Sequence, residues 1–334
     1  MSEMNERGRA HSVGRCILVA ASLASVVLES RCTTTTRTLP ACTETQASAL
    51  TADTPDAGIV VAAVGDIADC NGGKQVEVAA AIEKVAPAAV LALGDLAYQD
   101  GSLDDFLDCY DPSFGRFRPI THPVVGNHEY HTPHAGPYWA YFCGAAGPTF
   151  HGWYSFDIGK WHVVALNSVC GSDLDVDSNA SEEFGGCDES SSQVAWLRAD
   201  LAAHPAVCKL AMWHHPRWSS SSEGATPQVE PFWRALVEAK VDVILNGHAH
   251  DYQRFPPMNV EGEPDPTGPR TFVVGTGGSP FSPFDEQAFV RSEVRSDTSH
   301  GFLKLVLRDH GYAWSFVPIT GDTLHDEGEA PCHP

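Results

Sequence analysis

The chain has 334 residues, 43% of them hydrophobic, which is enough for a large buried core. Its 43 acidic residues against 21 basic ones give a formal net charge of -22. That balance argues against nucleic acid as a partner, since phosphate backbones are gripped by basic surfaces. It leaves room for a small anionic substrate, because site-bound cations reverse the local field.

Arg7, Arg9 and Arg15 precede an apolar stretch, Ile17 to Leu28, so residues 1–32 read as an export signal too short to span a bilayer comfortably. Export places the protein outside the cell or at the cell envelope. Leu28-Glu29-Ser30-Arg31 is a poor acceptor context for a lipoprotein-type anchor at Cys32. Ten cysteines without a C-x-x-C pair fit disulfides in an oxidising compartment. Cys170 with Cys187 is the first pairing expected, and Cys109 with Cys143 the second. Residues 33–57, rich in Thr, Ala and Pro, read as a low-complexity linker without a fixed fold. The globular domain is expected over 58–330.

From Gly58 the pattern alternates. Val-rich or apolar runs at 58–64, 89–93, 123–125, 161–166, 210–213, 241–245 and 271–274 read as buried strands. Between them, 76–85 is expected to be helical on a face of Ala79, Ile82 and Val85, and 102–110 to be a second helix. The stretch 193–203 puts Val194, Leu197 and Leu201 on one face, and Phe232, Trp233, Leu236 and Val237 make another helical stripe. Residues 302–307 and 312–317 read as a hairpin around Asp309-His310-Gly311. Such a mixture indicates a layered α/β protein.

Five of these strands end in residues that bind metals: Gly65-Asp66-Ile67-Ala68, Gly94-Asp95-Leu96-Ala97-Tyr98, Gly126-Asn127-His128-Glu129, His214-His215-Pro216 and Gly247-His248-Ala249-His250. Each piece alone is explained by a turn or a cap. Together, in this order, they exceed what folding needs, because buried Asp and His are unfavourable unless paired or metal-bound. Strand carboxyl ends are also where layered α/β proteins place their ligands.

The series resembles the five-block signature of the calcineurin-like metallophosphoesterases, and within them the compact, single-domain purple acid phosphatases. The family's blocks GDxG, GDxxY, GNH[DE], VxxH and GHxH stand here as GDIA, GDLAY, GNHE, AMWH and GHAH. Many relatives carry a ligand His where Ala68 stands, and Tyr98 fits the tyrosine that replaces it in the purple subfamily. The resemblance implies a four-layer α/β/β/α sandwich with two mixed β-sheets and a dimetal site at the strand C-terminal ends. It implies that Asp66, Asp95, Tyr98 and His250 hold one ion, usually Fe(III). Asp95 would be shared with a second ion, Fe, Zn or Mn, completed by Asn127, His214 and His248. Two cations about 4 Å apart need such a shared carboxylate between them.

The implied activity is hydrolysis of phosphate monoesters, as in an acid phosphatase, by a metal-activated hydroxide, with His128 as the catalytic residue beside the phosphate. The partner is then a small phosphorylated substrate. His215 and Asn167 are candidate substrate contacts, each with a structural role as the alternative. Glu129 is expected to orient its own loop. A phosphodiesterase on the same site is the first alternative function. An inactive metal-holding module is the second, disfavoured because His128 is present. The loop Asp173 to Asn179 alternates acidic residues but lacks the sixth-position Gly of a calcium loop, so it reads as solvated.

Overall fold

Ile59–Val64 and Ala89–Leu93 are short apolar strands with almost no exposed side chain, which requires layers on both faces. The computed structural model supplies those layers and describes residues 12–15, 33–36, 39, 57–170, 186–206, 208–285 and 291–334. A six-stranded sheet runs in the order Glu327–Pro331, Gly311–Pro318, Gly301–Arg308, Ile59–Val64, Ala89–Leu93, Thr121–Val124. Its last three strands are parallel and the others antiparallel. A seven-stranded sheet runs Val294–Ser296, Tyr252–Arg254, Arg270–Val274, Val243–Asn246, Cys208–Met212, Trp161–Ala165, Tyr154–Ile158. Four central strands of this sheet are parallel and its flanks antiparallel. Both sheets are therefore mixed, as expected.

The two sheets face each other across one apolar core. Val61, Ala63, Leu91, Leu93, Leu303 and Leu305 from the first meet Val163, Leu210, Met212, Val243, Leu245 and Phe272 from the second. Alternate residues of the second sheet, Val164, Ala211, Trp213, Ile244 and Val273, turn outward. They pack with Val194, Leu197 and Leu201 of helix Ser192–Ala203 and with Phe232, Trp233 and Leu236 of helix Glu230–Glu238. Helix Gln75–Val85 covers the outer side of the six-stranded sheet, against Gly301–Arg308 and Gly311–Pro318. That completes the α/β/β/α order.

Local detail departs from expectation in three places. The face of Gln75–Val85 that is buried is Val78, Ala79 and Ile82, with Val85 only partly covered. The expected helix at 102–110 is a capped turn, Leu103–Asp105, followed by a π-helical stretch Phe106–Tyr110. Helical segments Asp111–Phe114 and Gly115–Ile120 continue it. Cys109 pairs with Cys70, not Cys143, because the loop after Asp69 brings the two Cα atoms to 5.2 Å. Cys170–Cys187 forms as expected, and Cys208–Cys332 ties the tail to the start of a central strand.

The chain also divides into a unit over Met1–Ala41 and one over Cys42–Pro334. In the first, Ser12–Arg15 pairs antiparallel with Thr33–Thr36. Thr33–Thr36, expected as part of a linker without a fixed fold, is thus a strand. The apolar stretch 17–28, Cys32 and the acidic loop at 173–179 lie outside the described residues.

Candidate metal centre

The parallel strands end on the same rim, and each end delivers its side chains there. Asp66 and Asp95 sit two residues beyond Val64 and Leu93, both with left-handed backbone, φ 58 and 50. The two loops then run side by side: Asp66 N donates to Gly94 O, Ile67 N to Asp95 O and Ala68 N to Leu96 O. They end as a short parallel pair in which Asp69 lies opposite Tyr98. Ala68 is fully buried in that ribbon with no positive φ, so the position works without glycine. Glycine is required elsewhere. A Cβ on Gly126 would stand 2.1 Å from Asp95 Oδ1, and one on Gly94 would stand 2.5 Å from His214 Nδ1.

The expected residues converge. The Tyr98 hydroxyl lies 2.9 Å from Asp66 Oδ1, 3.2 Å from Asp95 Oδ2 and 2.9 Å from His250 Nε2. His214 Nε2 lies 3.2 Å from Asp95 Oδ2 and 3.2 Å from Asn127 Oδ1. His128 Nε2 is 3.8 Å from Asp95 Oδ2. His248 donates its main-chain N–H to Asp66 Oδ2, and its ring centroid is 5.2 Å from that of His214.

Three histidines share one arrangement. A carbonyl can only accept, so Nδ1 of His214 donates to Leu93 O, that of His250 to Pro280 O and that of His128 to Gln99 O. Each Nε2 is thereby turned into the site. Fixing one ring nitrogen so that the other presents its lone pair is how metal-ligating histidines are oriented. The clamping groups are main-chain oxygens, so the identities of Leu93, Gln99 and Pro280 carry no sequence signal.

Electrostatics agree with a cation site. Asp66 and Asp95 are buried, and among the described residues their ion pairs are with histidines alone. Burial opposes ionisation of Asp95, yet the charges of His214 and His128 hold its carboxyl well below the usual range. Burial alone would depress His214 and His250, but the adjacent carboxylates push both up to about 9. Burial, then the charges of Asp66 and Asp95, holds the Tyr98 phenol neutral far above its ordinary range. Protons thus stand where positive charge is wanted.

His215 is fully buried with Nδ1 2.9 Å from the Ser168 hydroxyl, while its Nε2 has no hydrogen-bond partner among the described residues. Its ring lies 4.4 Å from that of His248. The Asn167 amide donates to Tyr130 Oη and its oxygen accepts from Val169 N. Glu129 accepts from Gly126 N, Asp95 N and Leu96 N, so it orders the second loop as well as its own. Asp66, Asp95 and His214 form one group able to hold a metal ion, and His214, His215 and His248 another.

A sandwich whose strand ends gather carboxylates, imidazoles, an amide and a phenol on one rim is the frame of a dinuclear metal-dependent hydrolase. The chain belongs to the calcineurin-like phosphoesterases, whose family model matches residues 59–252. It is 30% identical over 197 residues to purple acid phosphatase 22 of Arabidopsis thaliana, a match covering 52% of this chain and 39% of that protein. The chain therefore spans well under half the length of this curated relative. Among solved structures, purple acid phosphatase PPD1 from yellow lupin (Lupinus luteus) superposes with a TM-score of 0.64 at 18% identity, over 82% of this chain and 53% of that one. GAP50, the anchor in the inner membrane complex of Plasmodium, gives 0.64 at 14%, over 84% and 90%. The shared fold thus serves more than one role.

Proposed function

We propose that this chain hydrolyses small phosphate monoesters at a pair of bound cations, in the manner of an acid phosphatase. The observation that carries the reading is the set of three histidines clamped at Nδ1 with Nε2 aimed at Asp66 and Asp95. Asp66, Tyr98 and His250 would hold the first ion with Asp95, and Asn127, His214 and His248 the second. Carboxylate and phenolate suit a trivalent ion such as Fe(III), whereas imidazole and amide suit divalent Fe, Zn or Mn. When bound, such a pair supplies Lewis-acid polarisation of the phosphoryl group and lowers the pKa of water.

The chain's own residues do the rest. Asp95 is fixed by His128 N–H at Oδ1 and by Glu129 at its own N–H, so it cannot swing away. His128, clamped by Gln99 and partly exposed, holds Nε2 3.8 Å from Asp95 Oδ2. It would hydrogen-bond the phosphate and protonate the leaving alkoxide. His215, whose buried Nε2 has no hydrogen-bond partner among the described residues, offers a second imidazole beside His248. The disulfides suit an oxidising compartment, which supports export. Among the described residues no helix is long and apolar enough to cross a membrane.

The test compares para-nitrophenyl phosphate with its bis-ester on metal-loaded protein, with His128→Ala as control. Faster monoester turnover, reduced about 10²-fold or more in the control, is expected. Faster diester turnover would make the chain a phosphodiesterase. No turnover of either ester would contradict the reading.

A further inference from the structure

A second cluster of ligating side chains lies away from the metal centre, on the outer face of the seven-stranded sheet. His162, the second residue of Trp161–Ala165, stands directly opposite Asp157 on the edge strand Tyr154–Ile158. Above it passes the last turn of helix Ser192–Ala203, bearing Asp200, with His204 as its C-cap. His162 Nε2 is 2.8 Å from Asp200 Oδ2, and His204 Nδ1 is 3.4 Å from Asp200 Oδ1. The two imidazole rings stack with centroids 4.3 Å apart. Ligand atoms from His162, Asp200 and His204 all lie within 4.8 Å of one another.

We propose that His162, Asp200 and His204 form a separate binding site for a divalent transition metal of the zinc type, which staples this helix to the edge of the sheet. The donor set, two imidazoles and one carboxylate with a fourth position open to water, is one that zinc takes. Donors around a tetrahedral zinc with bonds of about 2.0 Å stand about 3.3 Å apart. Asp200 already stands 2.8 Å from His162 and 3.4 Å from His204, and with all three donors within 4.8 Å the ion would draw the two imidazoles together. The outer groups are also in place. Asp157 Oδ1 lies 2.9 Å from His162 Nδ1, the carboxylate–histidine pairing that turns the other ring nitrogen towards a metal. Ser155 Oγ donates to Asp200 Oδ1 at 2.8 Å and fixes that carboxylate. His204 Nδ1 now reaches the Asp200 main-chain oxygen at 2.8 Å, a bond a metal would replace. His162 is buried and His204 half exposed, so the site is anchored in the sheet and open to solvent on one side. The helix is already pinned near its other end by Cys170–Cys187, so a metal here would secure both ends.

The proposal does not depend on the phosphatase reading. It is tested with zinc alone, on the full chain, by equilibrium dialysis and by the thermal midpoint. His204→Ala, an exposed change, is expected to take up one ion fewer per chain than the unaltered protein. In an Asp95→Asn background, zinc should raise the midpoint, and adding His204→Ala should abolish that rise. Asp157→Asn, which touches no ligand atom of the ion, should weaken zinc uptake at this site about 10- to 100-fold. Equal zinc uptake by the unaltered protein and His204→Ala would overturn the proposal. So would the same zinc-dependent midpoint shift in Asp95→Asn with and without His204→Ala.

Discussion

Glu129 Oε2 lies 3.0 Å from the main-chain N–H of Asp95, so the third motif block holds the second in place. The same carboxylate accepts from Gly126 N at 2.8 Å and Leu96 N at 2.7 Å. Burial, then the charge of Asp95, pushes its pKa up to about 7. Glu129→Ala would leave these buried amides without an acceptor. A loss of about 3 kcal/mol or more is expected, read as a lowered midpoint in urea. A loss under about 1 kcal/mol would show that the amides find other partners.

Tyr98 makes an optical prediction. A phenolate bound to ferric iron absorbs visible light, so iron-loaded protein should be coloured and iron-loaded Tyr98→Phe colourless. Its hydroxyl is buried among Asp66, Asp95 and His250, so no other phenol is required. Colour that survives the substitution would remove Tyr98 from the coordination sphere.

Gly126→Ala isolates a steric requirement. The added Cβ would meet Asp95 Oδ1 at 2.1 Å and Asp95 N at 2.4 Å, so the Asp95 carboxylate must shift. Misplacing it by about 1 Å should lower turnover about 10²-fold, with folding retained by circular dichroism. Unchanged kcat/KM would mean that the carboxylate position is not critical.

His122, on the strand that leads into the third motif block, makes a prediction for stability in acid. It stacks on Phe156 at 3.8 Å, with the two residues on the edge strands of opposite sheets. Burial lowers its pKa to about 4. The unfolded chain binds this proton near pH 6.5 and the folded chain only near pH 4, so the contribution is present above about 6.5 and is lost as pH falls between those values. The loss is of order 3 kcal/mol by pH 4. His122→Phe should flatten the thermal midpoint over that range. A parallel pH profile in both proteins would contradict the assignment.

The sequence displayed the site more fully than the fold around it. Buried Asp and His at strand ends are conspicuous, because nothing in packing asks for them. All seven expected ligand residues and His128 come to one rim. What stayed hidden acts through groups every residue has: the carbonyls of Leu93, Gln99 and Pro280 that aim the histidines. The central strands were legible as apolar runs. Edge strands such as Glu327–Pro331, whose exposure alternates, and Val294–Ser296 were not, since half their surface faces water. The pairing of Cys70 with Cys109 depends on the loop beside Tyr98, which no cysteine spacing encodes. His162 and Asp200 are far apart in sequence and belong to no motif block, so only the fold brings them together.

The most direct measurement is para-nitrophenyl phosphate turnover during stepwise metal addition to stripped protein, alongside Asp95→Asn. No turnover is expected before metal, then a rise to a plateau in the unaltered chain, and none at any loading in the variant. Stripped protein as active as the loaded form, or an Asp95→Asn variant as active as the unaltered chain, would contradict the proposed function.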